Sequence, residues 1–167
     1  MERLAVRGDS RVDWVDAAPF RAQIRHLMAA FSLHSEDVAA AAGISAHLAE
    51  HLVHGRKGRL TRRISPDIAR RLLRLSDDQV RFLERLRVPS GPARLQLEQL
   101  RRAGWDDLSI AVRVGVSAPD LVRLATTATT CSQLLTVRLT AAARANELAS
   151  WAERSDRRAD HWAAVAA

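Results

Sequence analysis

The chain has 167 residues, 47% of them apolar and 27% charged, a balance that suits a packed globular protein and excludes an intrinsically disordered one. Basic residues outnumber acidic ones by 26 to 19, and a net charge of +7 favours a polyanionic partner. Lys57 is the only lysine and alanine is abundant, which a GC-rich genome would produce unaided, so the placement of charge decides more than its total.

Residues 1–13, "MERLAVRGDSRVD", are polar and unpatterned, and 1–16 read as a flexible N-terminus without the apolar core of a signal peptide. Helix begins at "DAAPFRAQIRHLMAAF", with Pro19 in the first turn and Phe20, Ile24, Leu27, Met28 and Phe31 on one face. A second helix starts at Ser35 as N-cap, with Glu36 and Asp37 in its first turn, and stops at Gly43; Ser45 caps the next. "ISPDIARRLLRL" predicts a helix capped by Ser65, with Pro66 in its first turn and Ile68, Leu72, Leu73 and Leu75 inward. "SDDQVRFLERLRV" opens on a Ser-x-x-Gln capping box at Ser76 and Gln79, and "PSGP" at 89–92 is the best boundary. No alternating strand is evident, although residues 55–64 can form a short hairpin or wing. No apolar run has the length of a membrane span, so a cytoplasmic protein is expected.

The second half repeats the first. "SEDVAAAAGISAHLAEHL" aligns with "DDLSIAVRVGVSAPDLVRL" at an offset of 72, pairing Ala39 with Ala111, Gly43 with Gly115, Ile44 with Val116, Ser45 with Ser117 and Leu52 with Leu124. Upstream, "RAQIRHLMAAF" matches "ARLQLEQLRRAGW". Downstream, "RRISPDIARRLLRL" is echoed by "TVRLTAAARANELA" after three extra residues, setting Arg63 against Arg138 and Ser65 against Thr140 as another cap. The expected architecture is all-α: helix-turn-helix units at 17–88 and 92–150, then a C-terminal helical extension at 151–167.

Each unit carries a small residue four positions before a glycine and an aliphatic just after it, the helix-turn-helix pattern. Ala39 and Ala111 allow close helix crossing, and Gly43 and Gly115 supply a left-handed turn. Ala42, Ile44, Ala49 and Leu52 close one core; Val114, Val116, Leu121 and Leu124 close the other. "DVAAAAGIS…LAEHLVHGRKGR…RISPDIARRLL" resembles the DNA-binding headpiece of lac-repressor-type regulators and, more loosely, the lambda-repressor-like fold. Similar units occur in helix-turn-helix proteins of actinobacteria and their phages. The resemblance covers residues 17–75 well and 92–150 weakly. The large sugar-binding domain of the lac-repressor type has no counterpart here, so no inducer pocket is implied, and the loop from His54 to Ser65 is longer than theirs.

On that reading the outward face after Gly43 contacts double-stranded DNA. Ser45 and the helix N-terminus suit a phosphate, His47 can donate to a guanine edge, Glu50 can accept from a cytosine amino group, and the Ala46 methyl can meet a thymine methyl. His51 and His54 share this helix. "GRKGRLTRR" then gathers Arg56, Lys57, Arg59, Arg62 and Arg63, positive charges that repel unless a polyanion compensates them, as phosphates or a narrow minor groove would. A solvated polar face is the plain alternative. A rival use of His47, His51 and His54, at i, i+4 and i+7, is zinc binding, but Gly55 argues for a helix end just where the third ligand is needed.

The second unit presents Ser117, Ala118, Val122 and Arg123, with Asp120 beside them, and "ATTATTCSQLL" replaces the basic loop. Up to Val88 the chain holds 16 basic and 11 acidic residues; the remainder holds 10 and 8. Two reading heads in one chain are the expected arrangement, with Ser117, Ala118 and Arg123 as further DNA contacts and an asymmetric site. The alternative, a homodimer formed through the second unit, would bind an inverted repeat. Trp151 and Trp162 are expected in a core rather than on a dimer surface. Catalysis has no support: there is no Gly-rich phosphate loop, paired-carboxylate cleft or activated nucleophile, and no cofactor is implied. The lone Cys131 excludes an intramolecular disulfide and is expected buried and inert. The expected function is that of a sequence-specific DNA-binding transcriptional regulator, a repressor acting by occupancy. The alternative is a helical protein–protein adaptor of the transcription machinery with a vestigial second motif.

Overall fold

The apolar periodicity produces helix almost throughout. The structure, a computed structural model, describes the backbone of residues 14–165 and the side chains of residues 14–155. In chain order it runs β1 (Val15–Asp16), α1 (Ala18–Phe31), α2 (Ser35–Ala42), α3 (Ala46–His54), β2 (Arg63–Ile64), α4 (Pro66–Arg74) and α5 (Asp77–Arg85). There follow β3 (Arg87–Pro89), α6 (Gly91–Arg102), α7 (Asp107–Val114), α8 (Ala118–Thr126), β4 (Thr130–Ser132) and α9 (Gln133–Val165). The fold class is all-α, with two minimal antiparallel pairs, β1 with β2 and β3 with β4.

Local chemistry sets most boundaries. Ser45, Ser65 and Ser76 cap α3, α4 and α5, each accepting from the backbone N–H three residues on. Asp106 and Ser117 do the same for α7 and α8. The start of α2 differs from expectation: His34 is its N-cap and Ser35 already helical, because the Asp37 carboxylate reaches back 2.9 Å to the His34 N–H and closes a capping box.

The duplication is visible in the elements. Gly43 and Gly115 end α2 and α7 in the left-handed region with nearly equal φ, 68° and 69°, which turns the following helix back across its predecessor. Arg21 of α1 donates from Nε and Nη2 to the carbonyls of Leu52 and Thr61, and Arg94 of α6 does likewise to Leu124 and Ala128. Arg71 of α4 reaches the Gly43 carbonyl and Arg138 of α9 the Val114 carbonyl. The carbonyls of Leu52, Leu124, Gly43 and Val114 lie at helix C-termini, where a cation also meets the negative end of the helix dipole, and those of Thr61 and Ala128 lie in the loops that follow.

That last pair corrects the downstream register. Arg71 corresponds to Arg138, Leu72 to Leu139 (both buried), and Ser65 to Ser132, whose hydroxyl accepts from the Leu135 N–H. Thr140 is not a cap: it lies inside α9 and donates to the Thr136 carbonyl. The second unit has a shorter β-connection, from α8 to β4, where the first has a hairpin, so the offset falls where the sequence echo placed an insertion. The strands also differ from the expectation of a hairpin alone. Val15 pairs with Ile64 and Val88 with Cys131, bringing Val15–Asp16 into the first unit and Arg87–Pro89 into the second. Of the expected flexible N-terminus, residues 1–13 lie outside the described residues.

Two cores result. Phe20, Ile24, Leu27, Val38, Leu52 and Leu72 fill the first; Leu97, Leu100, Ile110, Val114, Leu121, Leu124 and Leu139 fill the second, with Cys131 buried against it. Leu134 of α9 is buried in the first core, so the units share a helix. The expected C-terminal extension is the continuation of that same helix: no glycine or proline interrupts residues 133–165. Trp151 is exposed rather than in a core, because α9 has by then run beyond the body. Trp162 lies beyond the described side chains.

At the seam, Arg113 of α7 lies 3.2 Å from the fully buried Asp37 carboxylate of α2, and its Nη1 also donates to His34 Nδ1. Arg138 Nη2 donates to the Phe31 carbonyl. Desolvation pushes the Arg138 guanidinium below its ordinary range, with the Asp37 charge opposing.

Candidate nucleic-acid interface

The first glycine-centred unit stands on α2 and α3. Ala39 and Ala49 are buried where the two helices cross, and Ile44 is half-buried against the first core. Inward packing of Ala49, Leu52 and Val53 leaves Ser45, His47, Glu50 and His54 exposed, with Ala46 and His51 half-buried. The expected face is therefore one face in three dimensions.

Its chemistry is not uniform. The His47 and His51 rings stack with centroids 3.8 Å apart at a tilt of 55°. Desolvation, then the neighbouring His47 and Arg56, hold the His51 imidazole below its ordinary range. Glu50 accepts from the Ser35 hydroxyl at 2.9 Å and stands 3.9 Å from His54 Nε2. It thus ties α3 to the start of α2, a role the sequence reading missed. Among the described residues, no three His, Cys, Asp or Glu side chains gather as a metal site.

The basic loop is a tight turn. Arg56 and Arg59 exchange both backbone hydrogen bonds, at 2.9 and 3.0 Å, around Lys57 and Gly58, which both have positive φ. That is a two-residue hairpin with the twist of a type I′ turn. Gly55 joins it to α3 at φ 80°, ψ −177°, and a Cβ there would lie 2.7 Å from the Arg59 carbonyl oxygen. Only glycine fits. Arg56, Lys57, Arg59, Arg62 and Arg63 are all exposed, and none pairs with a carboxylate among the described residues. An open groove runs between the turn and the start of α1, lined by Arg21, Gly58, Arg59 and Arg62, with Asp16 as its one acid.

The second unit reproduces the backbone without the charge. Ser117 caps α8 and its hydroxyl also donates to the Asp120 carboxylate; Arg123 is paired with the same Asp120. The Ser117 and Arg123 contacts hold the Asp120 carboxyl below its ordinary range against a smaller opposing desolvation. Ala118 is half-buried and Val122 exposed. Where the first unit has a three-cation hairpin followed by Arg62 and Arg63, the link from α8 to β4 holds Thr127, Ala128 and Thr129 and no charge. Elsewhere, no helix among the described residues is long and apolar enough to cross a membrane. Comparison with family models, with curated proteins and with solved structures found no match to this chain.

Proposed function

We propose that the chain is a sequence-specific double-stranded-DNA-binding regulator whose first unit is the reading head, acting as a repressor by occupying its site. The observation that carries this reading is a Ser45-capped helix, α3, with an exposed outer face, whose C-terminal end leads through Gly55 into a tight turn and loop that together bear five cations unpaired among the described residues. An α-helix of this kind fits the major groove, where His47 reads a guanine edge and the Ala46 methyl a thymine methyl. The turn then follows the backbone into the adjacent minor groove or along its phosphates. Glu50 joins the readout only by releasing Ser35, so its direct contribution is secondary to that of His47. The resemblance to lac-repressor-type headpieces points the same way.

The second unit is assigned a supporting role. Its one exposed cation on α8 is neutralised by Asp120, and its connection to β4 carries no charge. Phosphate affinity depends on cations free to displace counterions.

Selection of bound fragments from random DNA with the full chain is expected to enrich one short motif. Replacing Arg56, Lys57 and Arg59 by alanine should weaken binding to all sequences and lower the salt slope by about one per lost phosphate contact. His47→Ala should instead change the preferred base, at about 1–3 kcal/mol on the best site. No enrichment, or a salt slope indifferent to the triple substitution, would overturn the reading in favour of a protein-binding adaptor.

A further inference from the structure

Equivalent helices in the two units are covered unequally. In the first unit the outer face of α2 is closed: Asp37 is buried, and Glu36 and Ala40 are half-buried, because α9 and Arg113 of α7 pack along it. Seventy-two residues on, the same positions of α7 are Leu108, Ser109 and Val112. All three are exposed, Leu108 by 68% and Val112 by 74%. The reason is the length of the covering helix. The counterpart of α9 in the first unit is α4, which ends at Arg74 after nine residues, whereas α9 runs for 33. The face left bare is also the more apolar of the two, the reverse of what solvent exposure alone would favour.

The chain carries a matching unpartnered surface. Ala145 and Leu148 of α9 border the same cleft as Glu36, Ala46 and His47, and α9 leaves the body beyond them; Leu148 and Trp151 are nonetheless exposed by 63% and 62%. Three positions apart, they share one helix face.

We infer that the outer face of α7 is covered by α9 of a second copy of this chain, in a reciprocal, two-fold exchange that repeats between molecules the α2–α9 packing present within one. The four side chains expose enough apolar surface for the exchange to bury roughly 1,000 Å² in total, the lower bound of a specific interface. At about 1.5 Å per residue, α9 is about 50 Å long and reaches well beyond its own body. A symmetric exchange closes on itself and leaves no apolar edge to propagate. The pairing stands on burial alone and does not draw on the DNA reading, so either can fail without the other.

Sedimentation equilibrium of the full chain without DNA tests it. The wild type should be a dimer. Leu108→Glu/Val112→Glu and Leu148→Glu/Trp151→Glu should each raise the dissociation constant by at least about tenfold, with unchanged far-ultraviolet dichroism since all four positions are exposed. Mixing the two double variants one to one should restore dimers, because each mixed pair keeps one intact α7–α9 contact. A monomeric wild type would overturn the inference. So would a dimer sensitive to the α9 substitutions but indifferent to those on α7, which would mean that α9 pairs with α9.

Discussion

His51 couples local electrostatics to the proposed function through opposite signs. Its folded imidazole is held below 6.5 by desolvation and by His47 and Arg56. Near that pH the folded chain therefore binds fewer protons than the unfolded one, so for this group acidification favours unfolding: its contribution to stability is full at higher pH and is lost as pH falls through the ordinary imidazole range. A phosphate backbone beside it has the opposite effect, because a polyanion favours the protonated ring. DNA binding is therefore expected to take up a proton and tighten as pH falls from about 7.5 to about 6. Calorimetry in two buffers of different ionisation enthalpy measures that uptake, and His51→Ala should diminish it. A His51 resonance that titrates identically with and without DNA would place this ring away from the phosphates.

At the scale of elements, the hairpin and its hinge show what local sequence can and cannot specify. Lys-Gly between two arginines is a legible turn signal, and the serine caps at 45, 65 and 76 are legible helix starts, because each depends on groups within three residues. Gly55 is more demanding: its φ and ψ admit no side chain, and the Arg59 carbonyl occupies the space a Cβ would need. Gly55→Ala should thus displace the turn while leaving the helices in place. DNA affinity is expected to fall to that of the Arg56/Lys57/Arg59 triple alanine variant, with far-ultraviolet dichroism unchanged. Retained affinity would show that the cations act without a fixed turn. The two-residue and three-residue strands were not legible, since their partners lie 41 or more residues away and their pattern is too short to alternate. Nor was the Arg71–Arg138 correspondence, because alanine-rich sequence permits several registers and only the carbonyls at the ends of α2 and α7 select one.

For the whole molecule, the decisive contact is Arg113 with Asp37. The Asp37 side chain is fully buried, accepts from Arg113 and also closes the capping box at His34. Asp37→Ala would leave a largely buried guanidinium with only the half-buried Glu36 carboxylate, 3.7 Å away, as its acidic partner, at a cost of about 3 kcal/mol. Urea denaturation should record that loss as one cooperative transition, since the seam joins both units. Asp37→Ala combined with Arg113→Met should recover most of it, and two separated transitions would show the units to be independent. The duplication itself was legible through its glycines and serines. Its seam was not: Ala41 and Ser109 occupy the positions equivalent to Arg113 and Asp37, so the repeat gives no symmetric hint of the ion pair. The exposed Trp151 was misplaced for a related reason, because periodicity cannot tell a helix face against a core from one that has run past it.

Leu134 has a consequence for synthesis. It completes the core beneath the proposed reading head, yet it is translated about fifty residues after Val80 of α5 joins the rest of that core. At about 5–20 residues per second the ribosome needs several seconds to supply it. Through that interval the nascent chain carries its basic hairpin on an unfinished core, and the glycine-centred unit made first is the one whose interior is finished late. Maturation of the N-terminal half thus waits on the C-terminal helix, and a chain cut short before Leu134 would lack that part of its first core.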